Sequence, residues 1–372
     1  MRRSFPVAAL AATMGLAACQ DGPVATPGDA SLARSENAPL YIVTFKPGVD
    51  VDAATADLAR GNGFAAQSVR KHAAPGFTAA IPEARLSRIV GDPRVQIVEK
   101  DYIVTLDLPR AEARPGGGGG GGQSTPWGIT RVGGAGDGTG RTAWIIDSGI
   151  DLNHTDLNTS RNCHAAFGYN TPADGNGHGT HVAGTIAAKN NAQDVVGVAP
   201  NAYVCAVRVL GNSGSGSYAG IIAGVNYVAA NAGSGDVANM SLGGSGTNAT
   251  LEAAVADVAR LGVRMVLAAG NNGVNANNFT PARVNGTGIY TISAIASNGC
   301  MASWSNYGNP PVDYAAPGVS VLSTRKGGGT TTMSGTSMAA PHVAGILLLG
   351  GVRADGNATC DPDGNPDPIA HR

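Results

Sequence analysis

Short apolar runs at Thr142 to Ile146, Tyr203 to Val209, Val237 to Met240, Val263 to Ala268 and Ile289 to Ile295 alternate with segments of helical periodicity. In Tyr218 to Ala230 the repeat is carried by Ile221, Val225 and Val228, and His178 to Lys189 and Leu251 to Leu261 show similar spacing. Runs without polar alternation belong to strands covered on both faces, and their interleaving with helices marks successive βαβ units. The pattern predicts an α/β fold, a doubly wound parallel sheet.

A smaller pattern precedes it. Between Leu40 and Leu106, Tyr41 to Phe45, Gly76 to Ile81, Val95 to Val98 and Tyr102 to Leu106 are strand-like, while Val51 to Arg60 and Glu83 to Ile89 are helical. We read this as the ferredoxin-like β-α-β-β-α-β order. Ahead of it, Arg2 and Arg3 lead into an apolar stretch from Phe5 to Ala18, too short for a spanning helix and typical of a secretory signal. That stretch ends in Leu16, Ala17, Ala18 and Cys19, which resembles a bacterial lipobox with Cys19 acylated; ordinary cleavage nearby, with Cys19 incidental, is the alternative. Seven consecutive glycines, Gly116 to Gly122, form a joint suited to proteolytic nicking. The expected organisation is a signal at 1–19, a polar linker at 20–38, a small α+β unit at 39–107, a glycine-rich linker at 108–125 and the α/β domain at 126–372.

Composition narrows the function. The net charge is −1 with 14% charged residues and no basic run, so no nucleic-acid partner is expected. Aromatics make up only 5% of the chain, which argues against a carbohydrate or single-strand stacking platform. After Cys19, the cysteines are Cys163, Cys205, Cys300 and Cys360, which in an exported chain read as two disulfides with three pairings open. Cys163 with Cys205 is preferred because the strands after Asp147 and before Val207 should be neighbours, leaving Cys300 with Cys360.

Three glycine-rich segments carry the chemistry: W-I-I-D-S-G-I-D from Trp144, D-G-N-G-H-G-T-H-V-A-G from Asp174, and G-T-S-M-A-A-P-H-V-A-G from Gly335. A serine hydroxyl attacks a carbonyl only when an imidazole takes its proton and a carboxylate orients that imidazole. Ser337, His178 and Asp147 supply that set. Singly, Asp147 suits a turn, Ser337 a helix N-cap, and His178 with His181 a metal pair, though the Glu of an H-E-x-x-H site is missing. An oxyanion formed at Ser337 needs N–H donors, and Asn271, following the buried run Val263 to Ala269, is the side-chain candidate beside the N–H of Ser337.

The order Asp, His, Ser and the surrounding words make the chain similar to the subtilisin-like serine proteases, within them to the proteinase K branch, over roughly Pro126 to Gly350. V-R-V-L-G-N-S-G-S-G-S-Y from Val207, S-L-G-G from Ser241, A-A-G-N-N from Ala268 and S-N-Y-G from Ser305 follow in the family's order. The resemblance implies a serine endopeptidase with Asn271 in the oxyanion position. It also implies substrate backbone along Ser241 to Gly244, and a specificity pocket walled by Leu242, Gly243, Ala268, Ala269, Gly270 and Asn271. With nothing charged in those walls, apolar or aromatic side chains are expected there. The sedolisin relatives use Glu and Asp where this chain has His178 and Asn271, and a His base works when unprotonated, so neutral or alkaline activity is expected.

Y-I-V-T-F-K-P-G from Tyr41 and V-E-K-D from Val98 are similar to the family's inhibitor propeptides, which implies self-inhibition, self-processing between about Leu106 and Gln123, and loss of any lipid on Cys19 with the discarded part. Polypeptide substrates and a monomer are expected, with no cofactor for the chemistry. Asp313 in V-D-Y-A-A-P-G matches a calcium-ligand aspartate of proteinase K, implying structural calcium, although one carboxylate does not make a six- to eight-oxygen site. The cysteine placements depart from those of proteinase K. The 35 residues after Ser337 (372 − 337) are fewer than the family usually has, which leaves open whether its last helices are present. The competing reading is an inactive binding or inhibitor protein on the same fold, against which the intact set of four residues argues.

Overall fold

The computed structural model describes residues 38–107 and 122–372. The signal-like segment, Cys19 and most of the glycine run lie outside the described residues.

One nine-stranded sheet organises the larger unit. From one edge it runs Ala165–Ala166, Tyr203–Arg208, Thr142–Asp147, Val237–Met240, Arg264–Ala268, Ile289–Ile295, Val312–Pro317, Pro368–His371 and Arg353–Asn357. Its pairings are parallel except the last, between Pro368–His371 and Arg353–Asn357. Successive side chains of a strand face opposite ways, and here both sides are buried. Ala143 and Ile145 join one core with Val182, Ile186, Met338 and Val343, from helices His178–Ala187 and Thr336–Leu348. Trp144 and Ile146 join the other with Ile221, Val225, Leu251 and Val255, from helices Tyr218–Asn231 and Ala249–Arg260. This is the doubly wound arrangement expected from the apolar runs.

The disulfides are Cys163–Cys205 and Cys300–Cys360, with Cα atoms 5.4 Å and 5.2 Å apart. Cys163 lies just ahead of Ala165–Ala166, the neighbour of the strand holding Cys205, so strand adjacency accounts for that pair. After helix Thr336–Leu348 the chain forms the strands Arg353–Asn357 and Pro368–His371 at the sheet edge, with no further helix.

The small unit is a four-stranded antiparallel sheet in the order Ala66–Arg70, Gly76–Ala80, Leu40–Phe45, Val95–Lys100, with helices Val51–Asn62 and Glu83–Val90. Its own core gathers Val43, Phe45, Leu58, Phe77 and Ile89. Two expectations need correction. Ala66–Arg70, half exposed and without an apolar run, is a strand that the apolar pattern does not reveal. The segment Tyr102 to Leu106 does not complete this sheet: Ile103–Thr105 pairs antiparallel with Ser215–Ser217 of the larger unit, because those two edges have unpaired backbone groups to satisfy.

Acidic side chains dock the small unit on two helix starts, and a backbone turn docks it on a side chain within one of those helices. Glu99 accepts the N–H groups of Ala249 and Thr250 at 2.8 and 3.0 Å, and Asp101 accepts that of Ala219 at 2.9 Å. These are first-turn N–H groups that a helix leaves unpaired, and a carboxylate there is favoured by the helix dipole. The side-chain oxygen of Asn226 accepts from Lys71, His72 and Ala73 in succession at 3.1, 2.9 and 3.1 Å.

Candidate active site

Asp147 ends the central strand Thr142–Asp147, and His178 opens the helix His178–Ala187 beside it. Nδ1 of His178 lies 2.8 and 2.9 Å from the two carboxylate oxygens of Asp147, and neither residue has exposed surface. Gly179 permits this approach, since a Cβ there would sit 2.1 Å from the carbonyl oxygen of Gly149 and 3.2 Å from the Cβ of Asp147. Gly177, with φ of +111°, turns the chain into the helix in a conformation that suits glycine.

Asp174 holds that helix start, a role not read from the sequence. Its Oδ1 accepts from Ser148 Oγ and the N–H groups of Asn176 and Gly177, and its Oδ2 from both the N–H and hydroxyl of Thr180. Ser148 Oγ in turn accepts the N–H of Gly179 at 3.1 Å. His178 is therefore fixed from its backbone as well as its ring. His181, one turn on, points elsewhere: its Nε2 lies 3.0 Å from the carbonyl of Val321, and its Nδ1 is buried without a partner.

Ser337 is the second residue of helix Thr336–Leu348, and Gly335 rather than Ser337 holds the cap position. Its hydroxyl donates to the carbonyl of Ser241 at 3.1 Å, while Ser241 Oγ donates to the carbonyl of Ser337 at 2.8 Å. Nε2 of His178 is buried and without a hydrogen-bond partner. Ser337 Oγ and His178 Nε2 are therefore not hydrogen-bonded to each other in this structure.

The cleft has a volume of about 580 Å³ and is lined by the expected substrate residues Ser241, Leu242, Gly243, Gly244, Ala268, Ala269, Gly270 and Asn271, with Ser337 at its base. Asn271 follows strand Arg264–Ala268 by a short turn, at the carboxyl end of the sheet. Its Oδ1 accepts the N–H and hydroxyl of Thr336, and its Nδ2 donates to the carbonyl of Asp107 at 2.5 Å. The chain reaching that point comes from the small unit: Ile103, Val104 and Thr105 pair with Ser217, Gly216 and Ser215, and Leu106 N–H donates to Gly214 at 3.0 Å. The edge that pairs with this strand is Ser215–Ser217, while Ser241 to Gly244 line the cleft. Sequence reasoning missed this edge, and also Asn272, whose Nδ2 donates to the carboxylate of Asp107 at 2.8 Å. The repeated Asn after A-A-G was the only available signal.

Asp313 lies away from the cleft. Its Oδ2 accepts the N–H of Thr291 at 2.8 Å, and burial pushes its carboxyl up to about 6. Among the described residues no group of three His, Cys, Asp or Glu side chains is arranged to hold a metal, so the calcium expected at Asp313 gains no support from this donor set.

Residues 138–350, more than half of the chain, match the Subtilase family, Peptidase_S8, and the chain belongs to that family. The chain is 41% identical over 301 residues to alkaline serine exoprotease A of Vibrio alginolyticus, covering 76% of this chain and 53% of that protein. It thus spans about half the length of that relative. It is 38% identical over 364 residues to subtilisin-like serine protease AsES of Sarocladium strictum, covering 93% and 88% respectively. Among solved structures, a cold adapted subtilisin-like serine proteinase matches with TM-score 0.58 and 38% identity, over 66% of this chain and 97% of its own. The enzyme class is that of a subtilisin-like serine endopeptidase.

Proposed function

We propose that the chain is an exported serine endopeptidase made as a self-inhibited, self-processing precursor, with Ser337 as nucleophile, His178 as base, Asp147 as its orienter and Asn271 as an oxyanion donor. The observation that carries this reading is the 2.5 Å hydrogen bond from the Asn271 amide to the carbonyl of Asp107, at the end of a strand lying in the cleft as a bound peptide would.

In this mechanism the Ser337 hydroxyl leaves the Ser241 carbonyl and turns to His178 Nε2, which lacks a competing partner. Its oxygen attacks the substrate carbonyl carbon as the proton passes to Nε2. Asp147, bonded to Nδ1, favours the resulting imidazolium, and Asn271 with the N–H of Ser337 receives the oxyanion. The C–N bond then breaks, the departing amine takes the proton from Nε2, and water hydrolyses the acyl-enzyme by the same steps. The chemistry calls for no cofactor.

Residues 39–107 would act as the inhibitor propeptide, consistent with the helix-end contacts of Glu99 and Asp101 and the strand in the cleft. Residues 1–19 would direct export, with Cys19 as a lipid anchor on the precursor alone. Among the described residues no helix is long and apolar enough to cross a membrane.

The test is fluorophosphonate labelling of the processed protein, with Ser337→Ala as control. Labelling confined to Ser337, and a Ser337→Ala precursor that stays uncut in a host lacking other proteases, are the expected results. Absence of labelling in correctly folded protein would favour an inactive binding protein instead. If Cys19 is acylated, the uncut precursor fractionates with membranes and active enzyme does not; mature enzyme that retains its lipid would overturn the anchoring scheme.

A further inference from the structure

We propose that the self-processing bond is the one on the carboxyl side of Asp107, and that Asn272 is a specificity-determining residue that reads the acidic side chain preceding this cut. The inference rests on the proteolytic reading of Ser337 and His178, and it departs from the apolar preference expected of the pocket walls.

Three observations converge. The Asp107 carbonyl is the one bonded by Asn271, so its carbon is the electrophile presented to the cleft. The same residue's carboxylate accepts from Asn272 Nδ2 at 2.8 Å, so consecutive side-chain amides hold its backbone and its side chain. Apart from Asp107 itself, no Asp, Glu, Lys or Arg lines the cleft, so the carboxylate meets neither repulsion nor a countercharge there. A neutral amide donor is then its direct recognition element. The register is set upstream, where Val104 is 4% exposed against Gly244 and Tyr218 while Ile103 on the other face is 69% exposed. A one-residue slip would exchange those two faces.

The step balances as an ordinary peptide hydrolysis. Ser337 Oγ forms the ester with the Asp107 carbonyl carbon, and its proton passes through His178 Nε2 to the nitrogen released as the Asp107 C–N bond breaks. Water then supplies the hydroxyl of the new Asp107 α-carboxyl group and regenerates the serine.

The experiment follows the full-length precursor by intact mass during processing. The released small unit is expected to end at Asp107, a measure that later trimming of the larger fragment does not disturb. Asn272→Asp places like charges together and should slow processing by about tenfold, as expected for loss of a hydrogen bond to a charged group. The exchange Asn272→Asp with Asp107→Asn regenerates an amide–carboxylate pair and should restore the rate to within about threefold. In peptide assays on processed enzyme, Asn272→Ser should lower kcat/KM for an Asp peptide about fivefold relative to a Leu peptide, which covers the case of an Asn272→Asp protein that folds poorly. A small unit ending elsewhere, an exchange without rescue, or an unchanged Asp-to-Leu ratio would overturn the proposal. Enzyme that labels with fluorophosphonate but gives those results refutes this inference alone, whereas failure to label refutes the proteolytic reading beneath it.

Discussion

The side-chain oxygen of Asn271 accepts both the N–H and the hydroxyl of Thr336, each at 2.9 Å. Thr336 Oγ1 also accepts the N–H of Gly270 at 3.1 Å. With its oxygen held twice, the Asn271 amide can present only its NH₂ group to the carbonyl at Asp107. The residue preceding the proposed nucleophile thereby orients the proposed oxyanion donor.

Asn271→Leu removes the donor at similar volume and is expected to lower kcat by about 10² to 10³ with KM little changed. Thr336→Val leaves the donor and the backbone N–H bond to its oxygen but removes the hydroxyl's bond, and a smaller loss of about tenfold in kcat is expected, on the scale of one hydrogen bond. Steady-state kinetics on a short peptide check both. An equal rise in KM for the two variants would place Asn271 in ground-state binding instead.

The carboxylates of Glu99 and Asp101 bond the first-turn N–H groups of two helices of the larger unit. Replacing both, Glu99→Gln with Asp101→Asn, is expected to weaken docking of the cut small unit by about 1–2 kcal/mol. Activity should then appear about tenfold sooner after processing, as read from the lag in hydrolysis of a chromogenic peptide. An unaltered lag would mean that the strand Ile103–Thr105 alone controls release.

His181 and His342 are fully buried, and burial pushes their imidazoles down to about 3 and about 4. Both are therefore neutral in the folded protein near pH 5, whereas the unfolded chain binds their protons below about 6.5. Because the folded values are depressed, the stability these residues carry is complete above pH 6.5. It is lost as pH falls toward 4, at up to about 1.4 kcal/mol per pH unit for each. In ¹³C-histidine spectra of the Ser337→Ala protein, two imidazoles should stay neutral down to pH 5. Titration of every histidine near 6.5 would contradict this.

Asp367 has the opposite sign. Burial, reinforced by the nearby carboxylates of Asp361, Asp363 and Asp313, pushes its carboxyl up to about 7; Ser293 bonds Oδ2, and Oδ1 is buried without a partner. A raised carboxyl favours the folded state while protonated, so stability declines as pH rises from about 4 to 7. Asp367→Asn removes that decline. In the Ser337→Ala background its stability relative to the parent should grow by roughly 2–4 kcal/mol between pH 4 and 8, measured by urea unfolding. A difference independent of pH would exclude a buried protonated Asp367.

Much of the larger unit is legible locally. The runs at Thr142, Val237 and Ile289 become strands within a residue of their apolar limits, because burial on both faces leaves no room for polar alternation. Val312–Pro317 escaped because its tyrosine and alanines do not stand out as a β-rich run. Of the proposed site, Asp147, His178, Ser337 and Asn271 were readable as candidates from residue type, glycine-rich setting and the family resemblance. Asp174 and Asn272 were not, since an Asp in a glycine turn or a second Asn looks like ordinary loop chemistry until its partners are known.

The amino-acid sequence determined by itself the alternation of strands and helices and the residue types able to transfer an acyl group, since both depend on neighbours within a few positions. Only the tertiary structure decided which sheet edge takes the strand Ile103–Thr105 and which residue's carbonyl meets Asn271. Thr105 finds Ser215 across 110 residues, and Asn271 finds Asp107 across 164. Backbone N–H and C=O groups are the same in every residue but proline, so no local pattern distinguishes one unpaired edge from another. The choice falls to the packing of the small unit on helices Tyr218–Asn231 and Ala249–Arg260, which brings this strand to the cleft in this register.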